Sequence, residues 1–99
     1  MFYAIRGTDV PNSLDLRKTA RPAHVARLEL LRDAGRLLLA GPFPTIDAED
    51  PGPAGYTGSL IVAEFDSLED ARAWAQSDPY VAAGVYAAVD VLPFRRTMP

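Results

Sequence analysis

Short apolar runs alternate along the chain with longer stretches of helical spacing. Four runs have the length and the Val, Ile, Leu and aromatic content of strands, and they cover residues 2–7, 36–41, 59–65 and 85–92. In the second run, Leu37, Leu38 and Leu39 place apolar side chains on both faces. This predicts a central strand that helices cover on one face and a partner sheet covers on the other.

The stretches between these runs predict helices. A main helix is expected over residues 20–34, with Pro22 near its first turn, after a separate turn or a kinked lead-in that Ser13 or Asn12 would cap. Gly35 can end this helix in a left-handed conformation. Ser67 begins a capping box followed by an amphipathic stripe through Leu68, Ala71, Trp74 and Ala75. A short helix then starts at Asp78-Pro79 and stops at Gly84.

The resulting order is β-α-β-β-α-β within a single domain over residues 1–99. It predicts a ferredoxin-like α+β fold, with a four-stranded antiparallel sheet and the helices on one face. Residues 42–58 hold four prolines and three glycines and read as a long loop. Loops of this length often serve as lids or binding loops, and a floppy hairpin connection is the alternative.

Composition and charge narrow the function classes. The net charge is −3 with no basic stripe, which argues against nucleic-acid binding. The chain has no cysteine, so thiolate chemistry and all-cysteine metal sites are excluded. No signal peptide or membrane-spanning run is visible, and a cytoplasmic location is expected. No metal site and no cofactor motif is found, so neither is expected.

The single histidine lies on the main helix. At about 100° per residue, His24 shares a face with Arg21, Leu28 and Leu31, and Arg17 joins this face if the helix extends back unbroken. Because the two leucines mark the core side, an imidazole and a guanidinium are expected to point inward. Polar groups that converge in this way predict a small-molecule site, which the helix N-terminus would make attractive to an anion. The alternative is a histidine at the helix rim whose Arg neighbour reaches water.

An acid–base histidine needs a carboxylate to orient it. Asp33 lies on the opposite face of the helix, so the partner must come from another element, and Asp9 after the first strand is chosen. A turn-capping role for Asp9 competes with this assignment. Further candidates for contact with a ligand are Gly41 and Pro42 at the end of the second strand, Ser59 at the start of the third, and Tyr80.

Several segments together resemble the YciI-like family of the dimeric α+β barrel superfamily. They are Phe2-Tyr3-Ala4-Ile5 leading to Asp9, Arg17 with Arg21-Pro22-Ala23-His24, Arg36-Leu37-Leu38 with Ala40-Gly41-Pro42, Gly55-Tyr56-Thr57-Gly58-Ser59, Trp74-Ala75 with Asp78-Pro79-Tyr80, and Ala83-Gly84-Val85-Tyr86 before Pro93-Phe94. The resemblance covers essentially the whole length. It implies a ferredoxin-like fold that dimerises through its sheets, and a His–Asp centre that would be His24 with Asp9.

Two hypotheses of different class follow. The first is a cofactor-independent enzyme in which His24 and Asp9 move a proton on a small anionic substrate, aromatic or lactone-like, that Arg21 and Arg17 hold. Elimination, isomerisation and hydrolysis all fit this arrangement. The second is a homodimeric module that binds a metabolite without chemistry, because one fold can host both functions.

Overall fold

The computed structural model describes all 99 residues. The strands and α-helices follow one another as β1 (Phe2–Asp9), α1 (Leu14–Asp33), β2 (Leu37–Pro44), β3 (Tyr56–Glu64), α2 (Leu68–Gln76), α3 (Pro79–Ala82) and β4 (Tyr86–Phe94), and a short 3₁₀ helix at Gly52–Ala54 lies between β2 and β3. The strands form one antiparallel sheet in the order β2-β3-β1-β4. This confirms the ferredoxin-like arrangement, in which each crossover helix joins two strands that have a third strand between them.

Alternation along the strands separates the two faces of the sheet. Tyr3 and Ile5 of β1 pair with Ala63 and Ile61 of β3, and all four are buried against the helices, where Leu31 joins them. The side chains one position along each strand point to the opposite face, which no element of the chain covers. The main cluster of buried apolar residues therefore lies between the sheet and its helices, while Val62 is buried on the opposite face.

The second strand differs from its prediction. β2 is an edge strand that pairs only with β3, and most of its residues are exposed. Pro42 and Pro44 fit an edge because they have no N–H to give to a further strand. The leucine-rich start of β2 is apolar on both faces although the strand is not central, so the prediction of a central strand is wrong.

Helix α1 begins at Leu14, earlier than predicted, and Pro22 lies inside it. The expectation of a separate lead-in before residue 20 is therefore wrong. Pro22 has no N–H to bond the carbonyl of Lys18 four residues earlier, which would normally weaken a helix here. Arg17 offsets this cost because its buried side chain bonds to β1 and β3 and holds the first turns of α1 in place.

The other helix boundaries follow their local signals. Gly35, after α1, adopts a φ of +71°, and the hydroxyl of Ser67 accepts a 3.0 Å hydrogen bond from the backbone N–H of Asp70 at the start of α2. Asp78 caps α3 by accepting 2.8 Å from the N–H of Tyr80. The loop between β2 and β3 is shorter than expected, because strand pairing continues to Pro44 and resumes at Tyr56.

One aromatic ring packs directly on the sheet backbone. A Cβ atom at Gly7 would lie 2.5 Å from the ring of Tyr86, so only glycine leaves room for this ring on β1. The Tyr86 hydroxyl is buried and has no hydrogen-bond partner in the protein. Burial raises the pKa of this phenol to about 12, and the neighbouring Ser59 and Arg17 only partly oppose the shift.

Replacing Tyr86 by Phe keeps the ring over Gly7 and removes the unpaired hydroxyl. Leaving a buried polar group unpaired costs about 1–3 kcal/mol, so we expect the free energy of unfolding at pH 7 to rise by about 1 kcal/mol. Urea denaturation measures this change. Gly7→Ala is the opposing control, which should lower the stability because its methyl group meets the ring. A loss of stability in Tyr86→Phe would contradict the assignment.

The Tyr86→Phe variant should also differ from the parent chain in how its stability depends on pH. Because the phenol of Tyr86 keeps its proton up to about pH 12 in the folded chain and loses it near pH 10 when unfolded, stability should fall as the pH rises through this window. Tyr86→Phe removes this group, so its stability should fall less steeply between these pH values than that of the parent chain.

Candidate functional site

A cavity of about 670 Å³ lies between α1, the end of β2, the β2–β3 loop and α3. Its volume is in the range of small-molecule sites. All the residues predicted for the site except Asp9 line this cavity. The residues that line it are Arg17, Arg21, His24, Gly41, Pro42, Ser59 and Tyr80. His24 is buried on this face of α1, as its helical phase predicted, whereas Arg21 lines the cavity from an exposed position at the rim and does not point inward. Helix α1 extends back unbroken to include Arg17.

The imidazole of His24 is bonded to the carboxylate of Asp78. Nδ1 lies 2.8 Å from Oδ1 and 3.0 Å from Oδ2, and both side chains are almost fully buried. Because Oδ1 also accepts the backbone N–H of Tyr80, the carboxylate is held in one orientation. An ionised carboxylate only accepts hydrogen bonds, so this contact places a proton on Nδ1. The other ring nitrogen, Nε2, has no partner in the protein and is left free for a ligand.

The prediction that Asp9 pairs with His24 is wrong. Asp9 accepts from Arg17 Nε at 2.6 Å, from Arg17 Nη2 at 2.9 Å and from the hydroxyl of Ser13 at 2.5 Å. Its side chain is 1% exposed, and it faces a second, smaller cavity rather than the one around His24. A buried guanidinium seven residues before His24 takes this carboxylate, and a different aspartate serves the imidazole.

The charge of Arg17 is consequently paired within the protein, and its side chain serves to hold the structure together. Besides Asp9, its Nη2 donates to the carbonyl of Gly58 at 3.0 Å and to the hydroxyl of Ser59 at 2.9 Å. Burial works to lower the pKa of Arg17, but the hydrogen bonds and the charge of Asp9 outweigh it, and the net shift is upward. A ligand that enters the cavity therefore meets a fixed, neutralised ion pair at this wall.

Planar groups form a column along the wall. The rings of His24 and Tyr80 stack with centroids 3.8 Å apart and planes 8° from parallel. The guanidinium of Arg17 lies 5.1 Å from the ring centroids of both Tyr80 and Tyr56. Burial raises the pKa of the Tyr80 phenol, which therefore stays protonated at neutral pH. Such a column limits the rotation of the imidazole and presents a flat, partly apolar surface to a ligand.

The free charges of the cavity come from its rim. Lys18 and Arg21 line it from α1 and form no ion pair, while Asp50 lines it from the β2–β3 loop and caps the N–H of Gly52 at 3.0 Å. Two unpaired cations against one carboxylate leave this side of the cavity positive. That balance favours an anionic ligand, as the helix N-terminus does.

Sequence reasoning missed several of these residues. Asp78 was recognised only as a helix cap, yet a capping carboxylate uses one lone pair and keeps others for a second donor. Tyr56 and Asp50 lie within the predicted loop of residues 42–58. The direction of their side chains could not be predicted, because a loop has no regular periodicity. Lys18 was not among the predicted site residues, and its long side chain reaches the cavity rim.

The structure also bears on metal binding and on the crossing of a membrane. No three His, Asp or Glu side chains come together in a group that could hold a metal ion. None of the helices combines the length and the apolar character that crossing a membrane requires.

The chain is similar to known proteins over nearly its whole length. A family model described as the YCII-related domain matches residues 1–95. Protein YciI of Escherichia coli O6:H1 is 59% identical over 96 residues, which cover 97% of this chain and 98% of that protein. An uncharacterised protein of Haemophilus influenzae is 51% identical over the same shares.

A solved structure resembles the fold closely. It is the 5-chloro-2-hydroxyhydroquinone dehydrochlorinase of Burkholderia phenoliruptrix AC1100 in complex with 2,5-dihydroxybenzoquinone. The TM-score is 0.83 with 28% sequence identity, over 96% of this chain and 94% of the other. With the full-length family match and the high identity to YciI, this likeness leads to one conclusion: the chain belongs to the YCII-related domain family.

Proposed function

We propose that the chain is a cofactor-independent enzyme that uses His24 and Asp78 for acid–base chemistry on a small, planar, anionic metabolite. The observation that carries this proposal is the buried contact of 2.8 Å between His24 Nδ1 and Asp78 Oδ1 at the wall of a cavity. It supplies a base that a carboxylate orients and that has its second nitrogen free. Asp78 takes the place that the sequence had assigned to Asp9.

The chemistry begins with proton transfer to Nε2. The imidazole accepts a proton from the substrate, whose electron pair remains on the substrate, and Asp78 stabilises the imidazolium that forms. In an isomerisation, His24 returns the proton to another atom. In an elimination, the electron pair left behind expels the leaving group. Lys18 and Arg21 stabilise the negative charge that develops on the substrate in either case.

The substrate class follows from the walls of the cavity and from the relative of known activity. A flat surface of stacked rings and two unpaired cations fit a conjugated anion. The Burkholderia dehydrochlorinase, which is similar in fold, holds 2,5-dihydroxybenzoquinone in its crystal structure, and this molecule is planar. We therefore propose a phenolate, enolate or lactone-type anion of similar size as the substrate.

The uncovered face of the sheet leads to a second part of the proposal, a homodimer. Large apolar side chains are exposed there, namely Leu39 (47%), Phe43 (40%), Leu92 (54%) and Phe94 (38%). Their register places them on the face away from the helices, around the cross-strand pair of Arg6 and Asp90. A patch of this kind marks an interface, and a second copy supplies a matching face.

Binding tests the cavity before the reaction is known. We expect 2,5-dihydroxybenzoquinone, used as a planar anionic probe, to raise the melting temperature of the chain. Arg21→Gln should weaken its binding about tenfold, because one charge-assisted contact is worth about 1.5 kcal/mol or more. Arg32→Gln, which removes an exposed arginine away from the cavity, is the matched control. Equal binding by both variants would contradict the assignment of Arg21.

Turnover tests the dyad. We expect His24→Ala to lower the rate on a turned-over quinol or phenolate substrate by roughly 10²–10⁴-fold, with Asp78→Asn losing a similar order because it no longer orients the imidazole. Mass spectrometry of a panel that includes 5-chloro-2-hydroxyhydroquinone identifies the substrate. Binding without any change of mass or of chromatographic retention across the panel would favour the non-catalytic module, and undiminished turnover in His24→Ala would refute the mechanism.

Association tests the sheet face. We expect the parent chain to sediment as a dimer, and Leu92→Glu to sediment as a monomer because it buries a charge against apolar residues. Leu30→Glu is the matched control, since Leu30 is 72% exposed on the outer surface of α1 and should leave the dimer intact. A parent chain that remains monomeric at the highest soluble concentration would exclude the proposed dimer.

A further inference from the structure

Ser59 lines the cavity and carries a hydrogen-bond donor that the protein does not use. The residue is 5% exposed and lies on β3, on the face of the sheet that it shares with Ile61 and that the helices cover. Its Oγ accepts a 2.9 Å hydrogen bond from Nη2 of Arg17, and this is the one hydrogen bond of the side chain. The hydroxyl of Tyr86 lies in the same region but forms no hydrogen bond. The hydrogen of the Ser59 hydroxyl is therefore available to a ligand.

The contact with Arg17 gives this hydroxyl a direction and strengthens it as a donor. A guanidinium has donors only, so it occupies a lone pair of Oγ and the hydroxyl hydrogen points away from it. A hydrogen bond from a cation also polarises the O–H bond of the serine. Arg17 is itself held by Asp9 at 2.6 Å and by the carbonyl of Gly58 at 3.0 Å, so the donor is fixed in place before a ligand binds.

The charge balance around Ser59 favours a neutral acceptor over an anionic one. The cation in contact with it, Arg17, is already paired with the carboxylate of Asp9, which is 1% exposed. The unpaired cations, Lys18 and Arg21, line the cavity from exposed positions at its rim. Because a buried anion needs an unpaired cation, the charge of a ligand belongs at the rim, and the atom that reaches Ser59 is a neutral oxygen.

We propose that Ser59 is a specificity-determining residue that donates a hydrogen bond to a carbonyl oxygen of the ligand. The cavity then selects anions that carry a ketone, quinone or lactone carbonyl at the end opposite to their charge. A carbonyl oxygen satisfies the free donor of Ser59 without a further cation, whereas an apolar group at the same place leaves the donor unpaired. The meaning of this preference for the substrate rests on the proposed function, whereas the preference in binding does not.

Two probes of nearly the same shape test the donor. 4-Acetylbenzoate carries a ketone opposite its carboxylate, and 4-isopropylbenzoate has a methyl group in place of the ketone oxygen. We expect Ser59→Ala to weaken the binding of 4-acetylbenzoate about fivefold, the value of one neutral hydrogen bond, and to leave that of 4-isopropylbenzoate unchanged. Titration calorimetry measures both dissociation constants, and their ratio is the readout. A purely structural role of Ser59 would weaken both probes alike and leave this ratio unchanged.

Two further hydroxyl groups provide matched controls. Ser67→Ala removes a serine hydroxyl that caps the N–H of Asp70 and does not line the cavity, so the ratio should stay that of the parent chain. Tyr86→Phe removes the buried phenol hydroxyl and should also keep the ratio. If Ser59→Ala does not fold, Ser59→Cys keeps the size of the side chain with only a weak donor, and it should shift the ratio in the same direction.

The possible results separate this inference from the proposed function. An unchanged ratio in the Ser59 variants, the same shift in a control variant, or a parent chain that binds neither probe overturns the inference and leaves the acid–base proposal standing. Undiminished turnover in His24→Ala, by contrast, removes the proposed function without altering the ratio of the two dissociation constants.

Discussion

The buried ion pair between Arg17 and Asp9 is the contact on which the arrangement of the site depends. It joins the first half of α1 to the end of β1, and the further bonds of Arg17 to Gly58 and Ser59 add β3 to the same junction. A buried charge needs a partner charge and hydrogen bonds, and the bonds that Nε and Nη2 of Arg17 make fix both the depth and the rotation of the helix. Once Arg17 faces the sheet, His24 two turns later must face it as well.

Rotation of α1 then determines which groups share the cavity. Arg17, Arg21 and His24 occupy one face of the helix, but they differ in what remains available to a ligand. Arg17 is neutralised, His24 has one nitrogen engaged by Asp78, and Arg21 is unpaired. The inner part of the site is thus rigid and its charges are paired, whereas its rim carries unpaired charge. This arrangement suits a ligand whose flat part enters first and whose charge stays near the opening.

Much of the fold and part of the site could be predicted from local patterns in the sequence. Helical phase placed His24 correctly, and capping signals located the starts of α2 and α3, because both depend on residues a few positions apart. Arg21 was expected to point inward, but it lies exposed at the rim because its long side chain can reach water from the edge of that face. The choice between Asp9 and Asp78 depends on contacts across 15 and 54 positions, which spacing does not encode. The edge position of β2 was not predicted for a related reason, since the order of strands in a sheet depends on pairing between residues far apart in the sequence.

The packing of Tyr86 on Gly7 has a consequence for how this sequence can vary. The two positions lie on neighbouring strands, and the space that one leaves empty is filled by the ring of the other. A larger residue fits at position 7 only if a smaller side chain replaces the ring at position 86. Conversely, a smaller residue at position 86 leaves a void unless a larger residue replaces Gly7. A substitution at only one of the two positions should therefore lower stability more than a matched change at both. Homologues should consequently differ at both positions or at neither.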